Sequence, residues 1–168
     1  KMYKESVADY EKAIMLKDQK KRSDITIYKA LSEVCLELPD YDKAIKYYKT
    51  FADSTGTELS AIDLLEYGKI YYQAASAVAE DTLLVDKKNA YIAAGDTIFA
   101  QLDAKRKDTH YGPFWRARIN TLKDPSNPLD DVKSFYEETL KRVEGKDNAS
   151  VEVEANRYLA FYYMKKDN

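Results

Sequence analysis

Cys35 and His110 are the single cysteine and single histidine of this sequence, and together they bound its side-chain chemistry. Nucleophilic catalysis would need Cys35 itself, or a serine activated by His110. Cys35 falls on an apolar stripe with Leu31 and Leu38, where a buried, inert thiol is expected. His110 ends the turn-like run Asp108-Thr109-His110, where a solvated imidazole is expected. No glycine-rich phosphate loop and no Gly-x-Ser-x-Gly elbow occurs. Carboxylates come in pairs (Asp130-Asp131, Glu137-Glu138, Glu152 and Glu154), but with 33% of the chain charged, solvated helix faces account for them. One cysteine excludes an intrachain disulfide, and one histidine excludes a His-rich metal centre. The expectation is a chain that is not an enzyme and carries no cofactor and no metal.

Charge excludes further classes. Lys and Arg number 27 and Asp and Glu 29, for a formal charge of −2, with both signs spread along the chain. Such a chain has no net field to gather nucleic acid or an anionic membrane surface. No apolar run is long enough to span a bilayer, so neither nucleic acid nor membrane insertion is expected. Two basic clusters, Lys20-Lys21-Arg22 and Lys105-Arg106-Lys107, offer a docking strip for an acidic partner or nucleic acid. Their simpler reading is that cations complement helix C-termini, with Asp18, Asp24, Asp103 and Asp108 close by. The composition is unusual in its 15 tyrosines, against 5 phenylalanines and 1 tryptophan.

Length and hydrophobicity describe the elements that must carry these residues. At 168 residues and 45% hydrophobic, with 5 Gly and 4 Pro, the chain is one folded, helix-rich domain. Apolar residues recur at 3.6-like spacing, as in Ile27, Tyr28, Leu31, Val34, Cys35, Leu38 and in Val132, Phe135, Tyr136, Leu140, Val143. Leu38-Pro39-Asp40 is a tight turn with Asp40 as an N-cap, and Gly56 and Gly145 stand where helices end. Gly112-Pro113 opens a helix, and Asp124-Pro125-Ser126-Asn127-Pro128 is a loop. The spacing predicts about eight helices, near 1–20, 24–38, 41–54, 58–79, 84–107, 112–122, 129–144 and 149–165. Short connections make successive helices antiparallel neighbours.

Residues 25–58 carry the pattern that organises the rest. Tyr28, Leu31, Ser32 and Cys35 lie on a first helix, and Ala44, Tyr48 and Phe51 on a second. This spacing resembles the tetratricopeptide repeat, a 34-residue helix–turn–helix unit. Small Ser32 and Ala44 would let the two helices approach closely. Ser6, Tyr10 and Ala13 resemble a second helix, while Tyr67-Gly68 through Tyr72 resembles a first helix partnered by Gly95 and Phe99. Tyr158-Leu159-Ala160 through Tyr163 resembles another first helix, with Ala160 at the small position. The resemblance implies an all-α, right-handed α-α solenoid of antiparallel helix pairs. Its divisions are 1–20 as the second helix of a truncated repeat, 25–58, a long repeat at 58–107, 109–145, and 149–168 as the first helix of a truncated repeat. Tyr-Gly-x-x-Tyr-Tyr, Trp115-Arg-Ala-Arg and Tyr-Leu-Ala-Phe-Tyr-Tyr are similar to the C-terminal repeat arrays of large bacterial proteins of this family. The compartment is left open, since a lone cysteine fits a bacterial cytoplasm or a periplasm alike, and Lys1-Met2-Tyr3 in mid-pattern suggests that the natural N-terminus lies upstream.

In this family the repeats are interaction scaffolds, so the resemblance implies a protein or peptide partner on the concave face of first helices. Tyr10, Tyr28, Tyr48, Tyr71, Phe99, Tyr136 and Tyr163 stand at core-like positions. Tyr47, Tyr72, Tyr162 and Trp115 are left over, because the neighbour of a buried residue on a helix is rotated by about 100°. The candidate groove residues are Lys29, Glu33, Lys69, Tyr72, Trp115, Arg116 and Tyr162, with Arg118 and Asn120 as further polar recognisers. A subset of the family grips a peptide carboxylate with a lysine and an asparagine four residues later. Glu33 stands at that place after Lys29 and argues against such a clamp. The alternative is a structural or self-association module, a homodimer through exposed terminal helices.

Overall fold

The 3.6-residue apolar spacing becomes helix wherever the computed structural model describes the chain, namely residues 2–17 and 25–166. In order these are α1 (Met2–Lys17), α2 (Thr26–Glu37), α3 (Tyr41–Ser54), α4 (Ala61–Ala77), a 3-10 turn (Thr82–Leu84), α5 (Val85–Lys105), α6 (Tyr111–Thr121), α7 (Asp130–Val143) and α8 (Ala149–Lys166). Among the described residues no strand occurs. The fold class is therefore all-α, built from consecutive antiparallel helices. The basic cluster at 20–22, with Asp18 and Asp24, lies outside the described residues.

Two units divide the chain, 1–60 and 61–168. In the first, α2 packs on both α1 and α3. Asp40 caps α3 by accepting from the Lys43 amide at 3.3 Å, and Gly56, with φ +65°, takes the left-handed conformation just after α3. The α2–α3 contact is as close as its small residues permit. Ser32 and Ala44 are fully buried, and Ser32 Oγ donates to the Ala44 carbonyl at 2.7 Å. Leu31, Cys35, Tyr48 and Phe51 complete this core. Tyr47 sits beside buried Tyr48 but is turned toward α1, where its hydroxyl donates to the Glu11 carboxylate.

In the second unit each of α4 to α8 packs on the next, and α4 also touches α6. Gly68 on α4 and Gly95 on α5 make these approaches possible. A Cβ on Gly68 would stand 2.3 Å from the Phe99 ring, and one on Gly95 would stand 2.3 Å from Ile119 Cδ1 and 3.0 Å from Tyr71 Cβ. Phe99 is fully buried in the space so created, a burial that stabilises by roughly 1.5–3 kcal/mol. Farther along, Phe114, Ala117, Val132, Tyr136 and Ala155 form a second buried cluster joining α6, α7 and α8. Small residues are thus buried on α2 (Ser32), α4 (Gly68, Ala74 and Ala75), α6 (Gly112 and Ala117) and α8 (Ala155).

Several placements differ from the sequence expectation. Ala160 is exposed, and the small residue that α8 buries is Ala155, five positions earlier. Tyr163 is 47% exposed and Tyr10 37% exposed, so neither is core. A tyrosine is tolerated on either side of a helix, because its ring packs and its hydroxyl is hydrated. His110 is 9% exposed rather than solvated. It stands at the N-cap of α6, its ring 4.4 Å from that of Tyr111 and 6.1 Å from that of Phe114. The second basic cluster does close a helix: Lys105 ends α5, and Arg106 makes two hydrogen bonds of 2.9 Å to Asp108.

Candidate functional site

Trp115 on α6 is the centre of the richest aromatic and cationic cluster in the second unit. Helical geometry brings its neighbours in pairs. Lys69 and Tyr72 lie three apart on α4, and Trp115 and Arg118 three apart on α6, so each pair shares one helix face. The Trp115 ring stacks on Phe99 of α5 at 5.7 Å and 22°, and Tyr72 meets it edge-on at 5.4 Å and 78°. Two cations flank the indole, with Lys69 Nζ 5.0 Å and Arg118 Cζ 4.8 Å from its centroid. Such contacts contribute about 0.5–1 kcal/mol each where solvent reaches them. Trp115 and Tyr72 are half-buried, backed by core and reachable from outside.

The two cations are in different states. Arg118 is committed: Nε and Nη2 donate to the two Glu154 carboxylate oxygens at 2.7 and 2.9 Å. Tyr136 adds a third donor to Glu154 at 3.1 Å. Burial works against charge on Arg118, but the Glu154 carboxylate outweighs it and holds the guanidinium ionised. Burial also pushes the Tyr136 phenol up, with Glu154 reinforcing it, so the hydroxyl stays a donor. By contrast, Lys69 Nζ, the Tyr72 hydroxyl and Trp115 Nε1 have no hydrogen-bond or ion-pair partner among the described residues.

Of the residues expected to line a groove, Lys69, Tyr72 and Trp115 converge here. Arg116 does not. Rotated by one residue from Trp115, it turns toward α5 and α7, where Nε and Nη2 bind Asp96 at 2.9 and 3.1 Å. Its guanidinium also lies 4.2 Å from the Phe135 centroid. Asn120 joins the same carboxylate at 2.8 Å and is 2% exposed. These two side chains fasten α6 to α5. Asn120 and Asp96 also line an open depression of about 660 Å³, together with Asn89, Ile92, Ala93, Thr97 and Lys123. Tyr162 sits at the far end of α8 and donates to Asp130 at 2.6 Å. In the first unit the Lys29 ammonium lies 5.9 and 5.6 Å from the Tyr48 and Phe51 centroids, and Glu33 is exposed.

Glu154, Tyr136 and Phe99 escaped the sequence-level reading of the site. Glu154 is 36 residues from Arg118 and 18 from Tyr136, and no local spacing signals such a partnership. Among the described residues no group of His, Cys, Asp and Glu is gathered to hold a metal ion, and no helix is long and apolar enough to cross a membrane.

No protein-family model matches the chain, and no curated protein matches it. Among solved structures it is similar to the C-terminal part of a TPR repeat-containing protein from Cytophaga hutchinsonii. That similarity is at 22% identity with a TM-score of 0.43, covering 98% of this chain and 84% of the other.

Proposed function

We propose that the chain is a non-catalytic protein-interaction module that receives a peptide or partner protein on the face formed by its first helices. In the second unit this face belongs to α4, α6 and α8. The observation that carries the reading is the half-buried Trp115–Tyr72 pair flanked by Lys69 and Arg118. Aromatic anchors with cations beside them are the composition of binding hot spots, and here the core fixes their rotamers before any partner arrives. Tyr162 on α8 is a further candidate of the second unit, Lys29 and Glu33 on α2 are those of the first unit by itself, and Arg116 serves as a fastener. The repeat divisions that go with this reading are 25–58, 58–107 and 109–145, flanked by half-repeats at 1–20 and 149–168.

Capture of the natural partner tests it. Tyr72→Ala and Lys69→Ala should each weaken capture while the far-ultraviolet spectrum and melting temperature stay near those of the parent. Undiminished capture by both variants would overturn the reading.

A second reading, self-association, rests on the exposed apolar residues of the outer helices. Val153, Tyr163 and Met164 on α8 are 64%, 47% and 59% exposed, and Met2 and Met15 on α1 are 79% and 74% exposed. A sedimentation mass independent of concentration would count against it.

A further inference from the structure

We infer that the Lys69–Tyr72–Trp115 site takes an acidic peptide, namely an Asp or Glu carboxylate placed beside an apolar side chain. This rests on the partner-binding reading of the same face and adds the chemistry of the occupant. The argument is one of hydrogen-bond and charge accounting. Around the Trp115 ring stand the polar groups of Lys69, Tyr72, Trp115 itself, Arg118 and Glu154. Arg118 and Glu154 neutralise each other through a bidentate pair, and Tyr136 occupies a further lone pair of Glu154.

What remains is one uncompensated cation, Lys69, with two neutral donors, the Tyr72 hydroxyl and the Trp115 indole N–H. The ammonium and the indole N–H can only donate and the hydroxyl can donate as well as accept, and none of the three has a hydrogen-bond or ion-pair partner among the described residues. A complementary ligand must therefore bring acceptors and negative charge. The floor between them is aromatic, with Phe99 stacked behind Trp115 and Tyr72 edge-on to it, so an apolar group belongs beside the carboxylate. The balanced charge of the whole chain, −2, argues against a polyanion as the occupant. Lys69 is thus the carboxylate receiver and Arg118 is a positioning residue.

Trp115 is the sole tryptophan, so intrinsic fluorescence of the full chain reports this site directly. The probes are capped peptides in matched pairs, Glu or Gln followed by Leu, Phe or Tyr. The Glu member of a pair should bind about fivefold or more tightly than its Gln partner at low salt. That preference should collapse at high salt and in Lys69→Met, and Tyr72→Phe should reduce it. Arg118→Lys tests the assignment of roles, because it should leave most of the Glu-over-Gln preference in place. Equal binding of Glu and Gln peptides overturns the acidic specificity while leaving the face as a binding site. A Trp115 signal that no peptide changes overturns both. A preference that survives Lys69→Met shows that another cation receives the carboxylate and overturns the assignment.

Discussion

Arg118 on α6 and Glu154 on α8 meet in a two-point pair, Nε to Oε1 at 2.7 Å and Nη2 to Oε2 at 2.9 Å. They are separated by 36 residues and join α6 and α8, on either side of α7 in the chain. Their side chains are 31% and 32% exposed, so water screens the pair only in part. A double-mutant cycle on Arg118→Met and Glu154→Gln should give a coupling of about 1 kcal/mol in chemical denaturation. Tyr136→Phe should cost a further ~0.5–1.5 kcal/mol through the lost third hydrogen bond. A coupling indistinguishable from zero would show that the pair contributes geometry without stability.

Close approach at glycine makes a sharper prediction. A Cβ on Gly112 would stand 2.5 Å from Asp103 Cα and 2.9 Å from its backbone nitrogen. Backbone cannot rotate aside, so Gly112→Ala should cost on the order of 3 kcal/mol despite the helix propensity of alanine. Gly68→Ala confronts the buried Phe99 ring at 2.3 Å, and should also perturb the Trp115 stacked upon that ring. Melting curves together with Trp115 emission would check both. An unchanged melting temperature for Gly112→Ala would contradict the packing described.

His110 gives the fold a pH dependence with a definite sign. Burial, with the Lys146 ammonium adding to it, lowers this imidazole below its ordinary value of 6.5. The unfolded chain therefore binds the proton more readily than the folded one. Stability from this group is complete above about pH 6.5 and is lost as the pH falls through that value toward the lower folded pKa. Denaturation at pH 7.5 and pH 5.5 should show the loss, and His110→Gln should lose less over the same interval. Identical losses in parent and variant would exclude His110 as the cause.

The Cys35 thiol should be unreactive in the native protein. Burial, then the charge of Asp40, raises its pKa, against a smaller opposing effect of Lys43, and the residue is 1% exposed. Iodoacetamide at pH 8 should label it in denaturant and leave it unlabelled in buffer. Rapid labelling of the native chain would show that α2 opens.

Much of this architecture was legible before any tertiary contact was known. Asp40 as a cap and Gly56 and Gly145 at helix ends follow from local chemistry. Ser32 with Ala44 was readable because close helix approach demands small residues on both sides, and Gly68 because an approach to a large ring such as Phe99 demands one without a side chain. Part of the cluster was legible: Lys69, Tyr72 and Trp115 stood out in the sequence, and Lys69 and Tyr72 both contact the Trp115 ring. Arg116 and Arg118 looked equivalent in the sequence, yet one fastens α6 to α5 and the other supports the indole.

The sequence by itself determined where the helices run and that Cys35 packs inside, since both depend on spacing along one segment. Only the tertiary structure decided which way Tyr10, Ala160, Tyr163 and His110 face, and that Arg118 is paired with Glu154 while Lys69 has no acidic partner among the described residues. Helical periodicity sets the angle between two residues on one helix, but an amphipathic tyrosine leaves the absolute phase of that helix open. The partners that settle the phase, such as Asp96 and Glu154, lie 20 to 36 residues away from the arginines they bind, beyond any local pattern.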